Sequence, residues 1–163
     1  MDIYYREAEL KDLDRIMEIE QAGFTADEAA SRSAMEERIA LIPDTFVVAV
    51  NADGAILGYA VGPVVEQRYL FDELFEKIEA NPVSGGFVSL LSVAVAPEFA
   101  GAGVASGLLG EVERRARLAG REGITLTCLA DLIGFYEKNG YVNEGVSASE
   151  HAGEVWYNLV REL

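Results

Sequence analysis

Hydrophobic positions along this chain follow two periods. From Glu9 to Glu20, apolar Leu10, Leu13, Ile16, Met17 and Ile19 fall at helical spacing. Thr25-Ala26-Asp27-Glu28 has the capping-box pattern and predicts a second helix through Ala34, Met35 and Ile39, stopped by Pro43-Asp44. The same period returns at Val104, Leu108, Leu109, Val112, Ala116 and Ala119, with Glu111/Arg115 and Glu113/Arg117 as four-apart pairs on the opposite face and Gly120 as the stop. A short helix is predicted from Leu132 to Lys138. Strand patterns occupy Ile3–Arg6, Phe46–Val50, Ile56–Val65, Ser89–Ala96 and Ile124–Leu129, with a last pair around Ser147–Gly153 that ends at Val155–Val160. Asn51-Ala52-Asp53-Gly54 reads as a hairpin turn. Residues 66–86 are ambiguous: Leu70, Phe71, Leu74, Phe75 and Ile78 are helically spaced, yet Asn81–Gly86 is a loop. The resulting order, β-α-α-β-β-β-α-β-α-β-β, predicts an α/β architecture with a mixed sheet.

The chain is organised around residues 89–109. Ser89–Ala96 is apolar and rich in β-branched residues, as in a strand covered on both faces. Pro97 closes it. Every side chain from Ala100 to Gly107 except Val104 is tiny, so the backbone amides of a helix start are left bare, a place to hold a phosphate. Taken alone, Gly101-Ala102-Gly103 is equally a tight connection. A dinucleotide fingerprint fits poorly, because too little chain follows for the further βα units it requires.

At 163 residues the chain is expected to form one domain, residues 1–163. Half its residues are hydrophobic and a quarter charged, an ordinary globular composition. No stretch reaches the ~20 apolar residues of a membrane span. Cys128 is the single cysteine, and Met1-Asp2-Ile3-Tyr4 shows no signal pattern, so the expected compartment is the cytoplasm. Against 13 Lys+Arg stand 28 Asp+Glu, a net charge of −15. That sign repels nucleic acid and anionic membranes and attracts amines, though net charge also serves solubility alone. No nucleic acid, membrane or metal partner is expected.

A second motif, Gly134-Phe135-Tyr136-Glu137-Lys138-Asn139-Gly140-Tyr141, lies one helix and one strand beyond the glycine turn, about the reach of a βαβ unit. By itself Tyr136 is a core aromatic. With Val95-Ala96-Pro97, Gly103-x-Ala105 and the run Phe135–Tyr141, however, the chain resembles the GNAT family of N-acetyltransferases. Phe24–Ser31, Ile42–Phe46 and Leu126-Thr127-Cys128 are similar to its arylalkylamine (serotonin-type) members.

The resemblance implies a GNAT fold: a mixed, mostly antiparallel seven-stranded sheet with helices on both faces and a V-shaped opening between its central strands. It implies acetyl-CoA as co-substrate, with pyrophosphate on the amides of Gly101, Ala102, Gly103, Val104, Ala105 and Ser106. Pantetheine would pair like a strand with Val93, Ala94 and Val95, and the Val95 N–H would face the thioester oxygen. Tyr136, a phenol protonated at neutral pH, would serve as general acid to the leaving thiolate. Phe24, Pro43 and Thr127 would hold a small primary amine beneath a lid formed by 24–31.

Two features depart from the family pattern. Ser89 and Leu91 stand where the vertebrate-type members carry two histidines, so Ser89 is left as a holder of ordered water, with Glu28 and Glu66 as unassigned proton acceptors and His151 as the one histidine. Ala100 replaces the usual Arg or Gln of the pyrophosphate turn, and Arg114, Arg115 and Lys138 are the nearby cations in sequence. Polyamines, protein N-termini and a catalytically degenerate acyl-CoA-binding module stay open as alternatives, as does a homodimer.

Overall fold

The computed structural model describes residues 1–163. Strand β1 (Tyr4–Glu7) leads through a 3₁₀ turn at Leu10–Asp12 into helix α1 (Leu13–Gly23). Glu9 and Asp12 form a reciprocal capping box there, with Arg6 clamped on the Asp12 carboxylate at 2.7 and 3.0 Å. Helix α2 (Arg32–Leu41), the hairpin β2 (Phe46–Val50) and β3 (Ile56–Val61), and the two-residue β4 (Val64–Val65) follow. Then come β5 (Phe87–Ser89), β6 (Ser92–Val95), α3 (Val104–Leu118), β7 (Gly123–Cys128), α4 (Ile133–Lys138), β8 (Val142–Val146) and β9 (Tyr157–Glu162).

Instead of one seven-stranded sheet, the strands form two sheets, a four-stranded one ordered β1-β2-β3-β6 and a five-stranded one ordered β4-β5-β7-β9-β8. All pairings are antiparallel except β5 with β7. The predicted strand 89–96 is therefore two strands. Leu90 N–H donates to Thr125 O (2.9 Å) and Leu91 N–H to Val61 O (2.7 Å), the ordinary alternation of a strand, but Ser92 is also paired with Val61, so two consecutive residues face β3 in a bulge. A ladder cannot serve both neighbours past that point, so the sheet parts between β6 and β7.

The predicted strand 56–65 breaks at the same level, at Gly62-Pro63. A Cβ on Gly62 would lie 1.8 Å from Ser89 O and 2.6 Å from Leu90 Cα, so only glycine admits this crossing.

Strand alternation feeds two cores. Phe46, Val48, Tyr59 and Ala94 pack with Ile16, Ile19, Met35 and Ile39 of α1 and α2. Val47, Ala49, Leu57 and Ala60 pack with Leu108, Leu109 and Val112 of α3 and with Ile124, Leu126 and Leu159. Helices thus cover both faces, as expected.

Two predicted boundaries move. Glu28 does accept the Thr25 N–H at 3.0 Å, but the chain makes only a turn there, and α2 begins at Arg32 with Ser31 accepting from Ala34 N–H at 3.1 Å. The intervening Ala30 N–H is drawn to the Glu20 carboxylate (2.9 Å), which stops a helix running through. In 66–86 only the 3₁₀ turn Asp72–Phe75 is helical. Arg68 clamps that segment to the far sheet through Glu144 (2.7 and 2.9 Å) and Glu162 (2.8 Å), and holds the Glu144 carboxyl down near about 2.

Gly62→Ala should lower stability by about 3 kcal/mol, the upper range for forced overpacking, read from the denaturation midpoint. Gly110→Ala, on the open face of α3, should instead raise it by up to about 1 kcal/mol.

Candidate active site

Where the sheet parts, β6 presents an unpaired edge. Ala96 N–H donates to Leu57 O (2.8 Å), and the register pairs Ala94 with Tyr59 and Ser92 with Val61. Antiparallel alternation therefore turns the Ser92 and Ala94 amides toward β3 and leaves Val93 and Val95 facing the gap. The opposite wall is Leu126–Cys128 of β7, beyond its last pairing with β5 at Thr125.

The C-terminal end of β6 runs through the turn Pro97–Phe99 to Gly101 and Gly103, both at positive φ (81° and 79°). Gly103 caps α3, and no side chain or backbone stands within 4 Å of where a Cβ would be at either glycine. The amides of Gly101, Gly103, Val104, Ala105 and Ser106 have no acceptor in the chain. They form a bare, exposed cradle at the positive end of a fifteen-residue helix. Ala100 is exposed beside it, with no cation in its place. Arg114 and Arg115 are both engaged by Glu111 (2.7 Å each), and Glu98 is turned away to Arg15 (3.0 Å).

A cavity of about 260 Å³ occupies the gap. One part of its lining is Leu90, Val93, Leu126, Cys128 and Tyr136, and the other is Phe24, Phe75, His151 and Trp156, with Glu20, Glu28 and Asp131 supplying carboxylates. Tyr136 is buried edge-on between Phe135 and Tyr141, and its hydroxyl has no partner in the protein. Burial, with the Cys128 thiol adding to it, pushes its pKa well up, so it stays a proton donor. Burial also pushes the Cys128 thiol to about 12, which keeps it neutral and a poor nucleophile.

Three segments meet to roof the cavity. Asp72 accepts from the Ser149 hydroxyl and from Glu150 N–H (3.0 Å). The Phe75 and His151 rings stack at 4.3 Å, Trp156 Nε1–H donates to His151 O (2.7 Å), and His151 Nε2 reaches Glu28 O at 3.3 Å. The 24–31, 72–75 and 147–156 segments therefore close on one another at His151.

Of the residues singled out in the sequence, Tyr136, Val93, Phe24 and Thr127 line the cavity, Val95 sits on the open edge and Gly101–Ser106 form the cradle. Ala94 points its amide to β3 and its side chain into the α1 core. Ser89 does not line the cavity: it is fully buried on β5 opposite Thr125, and both hydroxyls lack partners. Pro43 does not either, because it opens the turn into β2, which is fastened at Thr45 to Gly62 (3.3 Å) and Asn81 (2.8 Å). Glu66 lies outside the cavity as well. Glu20, Phe75, Asp131 and Trp156 escaped sequence reasoning. The helical spacing of Phe75, the single tryptophan and the place of Glu20 in the apolar stripe of α1 were the available signals.

A strand edge with free amides, running into a bare helix start, fits an amide-bearing phosphoanhydride, and a protonated phenol beyond it fits transfer of an acyl group to a nucleophile. A family model described as Acetyltransferase (GNAT) family matches residues 13–141, and the chain belongs to that family. It is an acyl-CoA-dependent acetyltransferase with acetyl-CoA as co-substrate. Among solved structures it is similar to Ard1 from Thermoplasma volcanium (20% identity, TM-score 0.78, 100% of this chain and 99% of that one). It is also similar to the GphF GNAT-like decarboxylase in complex with isobutyryl-CoA (20%, TM-score 0.82, 98% of each chain). A third is the ribosomal-protein-S18-alanine N-acetyltransferase from Escherichia coli (14%, TM-score 0.71, 99% of this chain and 94% of that one). No curated protein matches the sequence significantly.

Ala100→Arg should restore a charge-assisted phosphate contact of about 1.5–3 kcal/mol. By calorimetry acetyl-CoA should bind roughly tenfold or more tighter, with a steeper salt dependence than the wild type.

Proposed function

We propose that this chain acetylates a small primary amine of the arylalkylamine type by direct attack in a ternary complex. The observation that carries this reading is the closed roof at His151 over a small cavity lined by aromatic rings and carboxylates. A cavity of about 260 Å³ lies just below the usual small-molecule range of ~300–1,000 Å³. Phe24, Phe75 and Trp156 suit a flat ring, and the acidic lining suits an ammonium group. A protein N-terminus, by contrast, needs an open groove for the residues that follow it, where Glu28 and His151 here touch.

The thioester carbonyl would lie at the β6 edge, with the Val95 amide stabilising its developing oxyanion. The neutral amine forms the new C–N bond, the C–S bond breaks, the thiolate takes the proton of the Tyr136 hydroxyl, and the proton shed by the new amide nitrogen restores the tyrosine. The neutral Cys128 thiol disfavours an acetyl-cysteine intermediate and supports direct transfer.

CoA release should be at least tenfold more efficient with tryptamine or phenethylamine than with spermine or an alanine-initiated peptide. Preference for the peptide would overturn the small-amine reading. CoA binding without turnover of any of these would favour an acyl-CoA-binding module.

Tyr136→Phe should lower kcat by about 10²-fold while leaving acetyl-CoA affinity unchanged. Because the phenol's pKa is raised, the acid stays loaded as pH climbs, so wild-type kcat should show no alkaline fall below about pH 10.

A further inference from the structure

The cavity's most buried ionisable group is Glu20, at the start of the last turn of α1. It is 1% exposed yet forms part of the cavity wall. Three donors hold its carboxylate. The Tyr59 hydroxyl of β3 bonds Oε1, while Ala30 N–H (2.9 Å) and the Ser92 hydroxyl of β6 (3.3 Å) bond Oε2. Two carboxylate oxygens offer about four acceptor positions, so one remains, on Oε1. Ser92 immediately precedes Val93, whose amide faces the gap where the thioester is read to lie.

The other titratable groups of the cavity are differently committed. Glu28 takes the Thr25 N–H of its own turn at 3.0 Å. Asp131 is exposed at the rim. His151 is stacked on Phe75 and bonded to Glu28 O. Arg38 of α2, itself 1% exposed, is near enough to Glu20 for their charges to interact. Its Nη2–H donates to Phe75 O at 3.2 Å, and its Nη1 has no partner. Glu37 also faces Arg38. The Glu20 carboxyl is thus held in place between α1, α2, β3 and β6.

We propose that Glu20 is the group that takes the proton from the acceptor ammonium, a catalytic residue for the acetyl transfer. This rests on the amine-acetyltransferase reading above. The ammonium donates to the remaining position on Oε1, and one N–H proton passes to the carboxylate, giving a carboxylic acid and a neutral amine. The amine lone pair then forms the C–N bond to the thioester carbon, and the C–S bond breaks. The thiolate takes the Tyr136 proton, and the second nitrogen proton restores the tyrosine. Net, one proton leaves to solvent by way of Glu20.

A purely structural role, fastening Ala30 and the 24–31 segment, predicts something different. The distinguishing readout is the pH profile of Glu20→Gln in the full chain, with tryptamine as acceptor. Amines of pKa near 10 are almost fully protonated at pH 7. The variant should lose about 10²–10⁴-fold in kcat/KM at pH 7, with acetyl-CoA affinity within twofold of wild type. The deficit should shrink roughly tenfold per pH unit as free amine appears in solution. It should nearly vanish at pH 7 with 2,2,2-trifluoroethylamine, which is already neutral there.

A deficit below about fivefold, or one equal at all pH values and for both amines, overturns the proposal. Should Glu20→Gln lack a cooperative unfolding transition, Glu20→Asp carries the test: its pH profile should keep the wild-type shape at reduced height. An Asp profile that instead rises with free amine, or a loss undiminished with trifluoroethylamine, overturns it too. Wild-type turnover is measured first. No turnover of any amine sinks the reading of the site and this inference together, whereas turnover with a pH-independent Glu20→Gln deficit sinks this inference alone.

Discussion

Two consecutive residues, Leu91 and Ser92, face the same β3 residue, Val61, and the rest of the site depends on that bulge. A continuous strand between β3 and β7 would have every edge amide paired and would leave no gap. At the bulge the alternation slips by one residue, and the chain ends one sheet and begins another. Gly62 is the steric condition for this, because the Ser89 carbonyl passes through the space any Cβ would occupy. The price of the split is an unpaired edge on β6 (Val93 and Val95 amides facing the gap), normally a liability in a sheet. Here that edge borders the cavity, where Val93 forms part of the lining.

The split also explains why the cavity has two chemically distinct walls. Below the break, side chains of β6 and β7 inherit the apolar pattern of buried strands, giving Leu90, Val93, Leu126 and Cys128 around Tyr136. Beyond it, no sheet remains to cover the space, and loops must do so. Those loops are polar and acidic, so the carboxylates of Glu28 and Asp131 and the rings of Phe75, His151 and Trp156 arrive together. The apolar wall keeps the Cys128 thiol and the Tyr136 phenol neutral by burial. The acidic wall favours a cation. The same break thus leaves the cavity apolar on one side and acidic on the other.

Much of this was legible in the residues. The strand before Pro97, the small-residue turn, the amphipathic α3 and the Tyr136 motif all carry strong local signals, and they converge on one gap. The break itself left no mark, since Leu91 and Ser92 continue the pattern of a buried strand, and what departs from that strand is the direction of their backbone, not their side-chain types. The same blindness misplaced Ser89, whose hydroxyl falls one residue on the sealed side of the break. The Thr25–Glu28 capping box is formed, yet it starts no helix, because Ala30 N–H finds a tertiary acceptor in Glu20. Glu20 carried a signal that went unread: it falls seven residues after Leu13 and four after Ile16, in the apolar stripe of α1, where a lone carboxylate has to find buried partners.

A chain of net charge −15 that holds a polyanionic co-substrate presents an apparent conflict. Its resolution lies in where the charges are fixed. The acids nearest the cradle are already neutralised, Glu98 by Arg15 and Glu111 by Arg114 and Arg115. The cradle's own field comes from oriented peptide dipoles, which side-chain motion does not remove. Those dipoles act within about a turn of the helix end, whereas the surplus carboxylates act over the ~8–10 Å of a Debye length and are screened by salt. At the contact distance of a pyrophosphate the amides therefore dominate, while at longer range the acidic surface steers cations. The short-range term selects one substrate and the long-range term the other, so a strongly acidic surface and a phosphate site can share one face of the molecule.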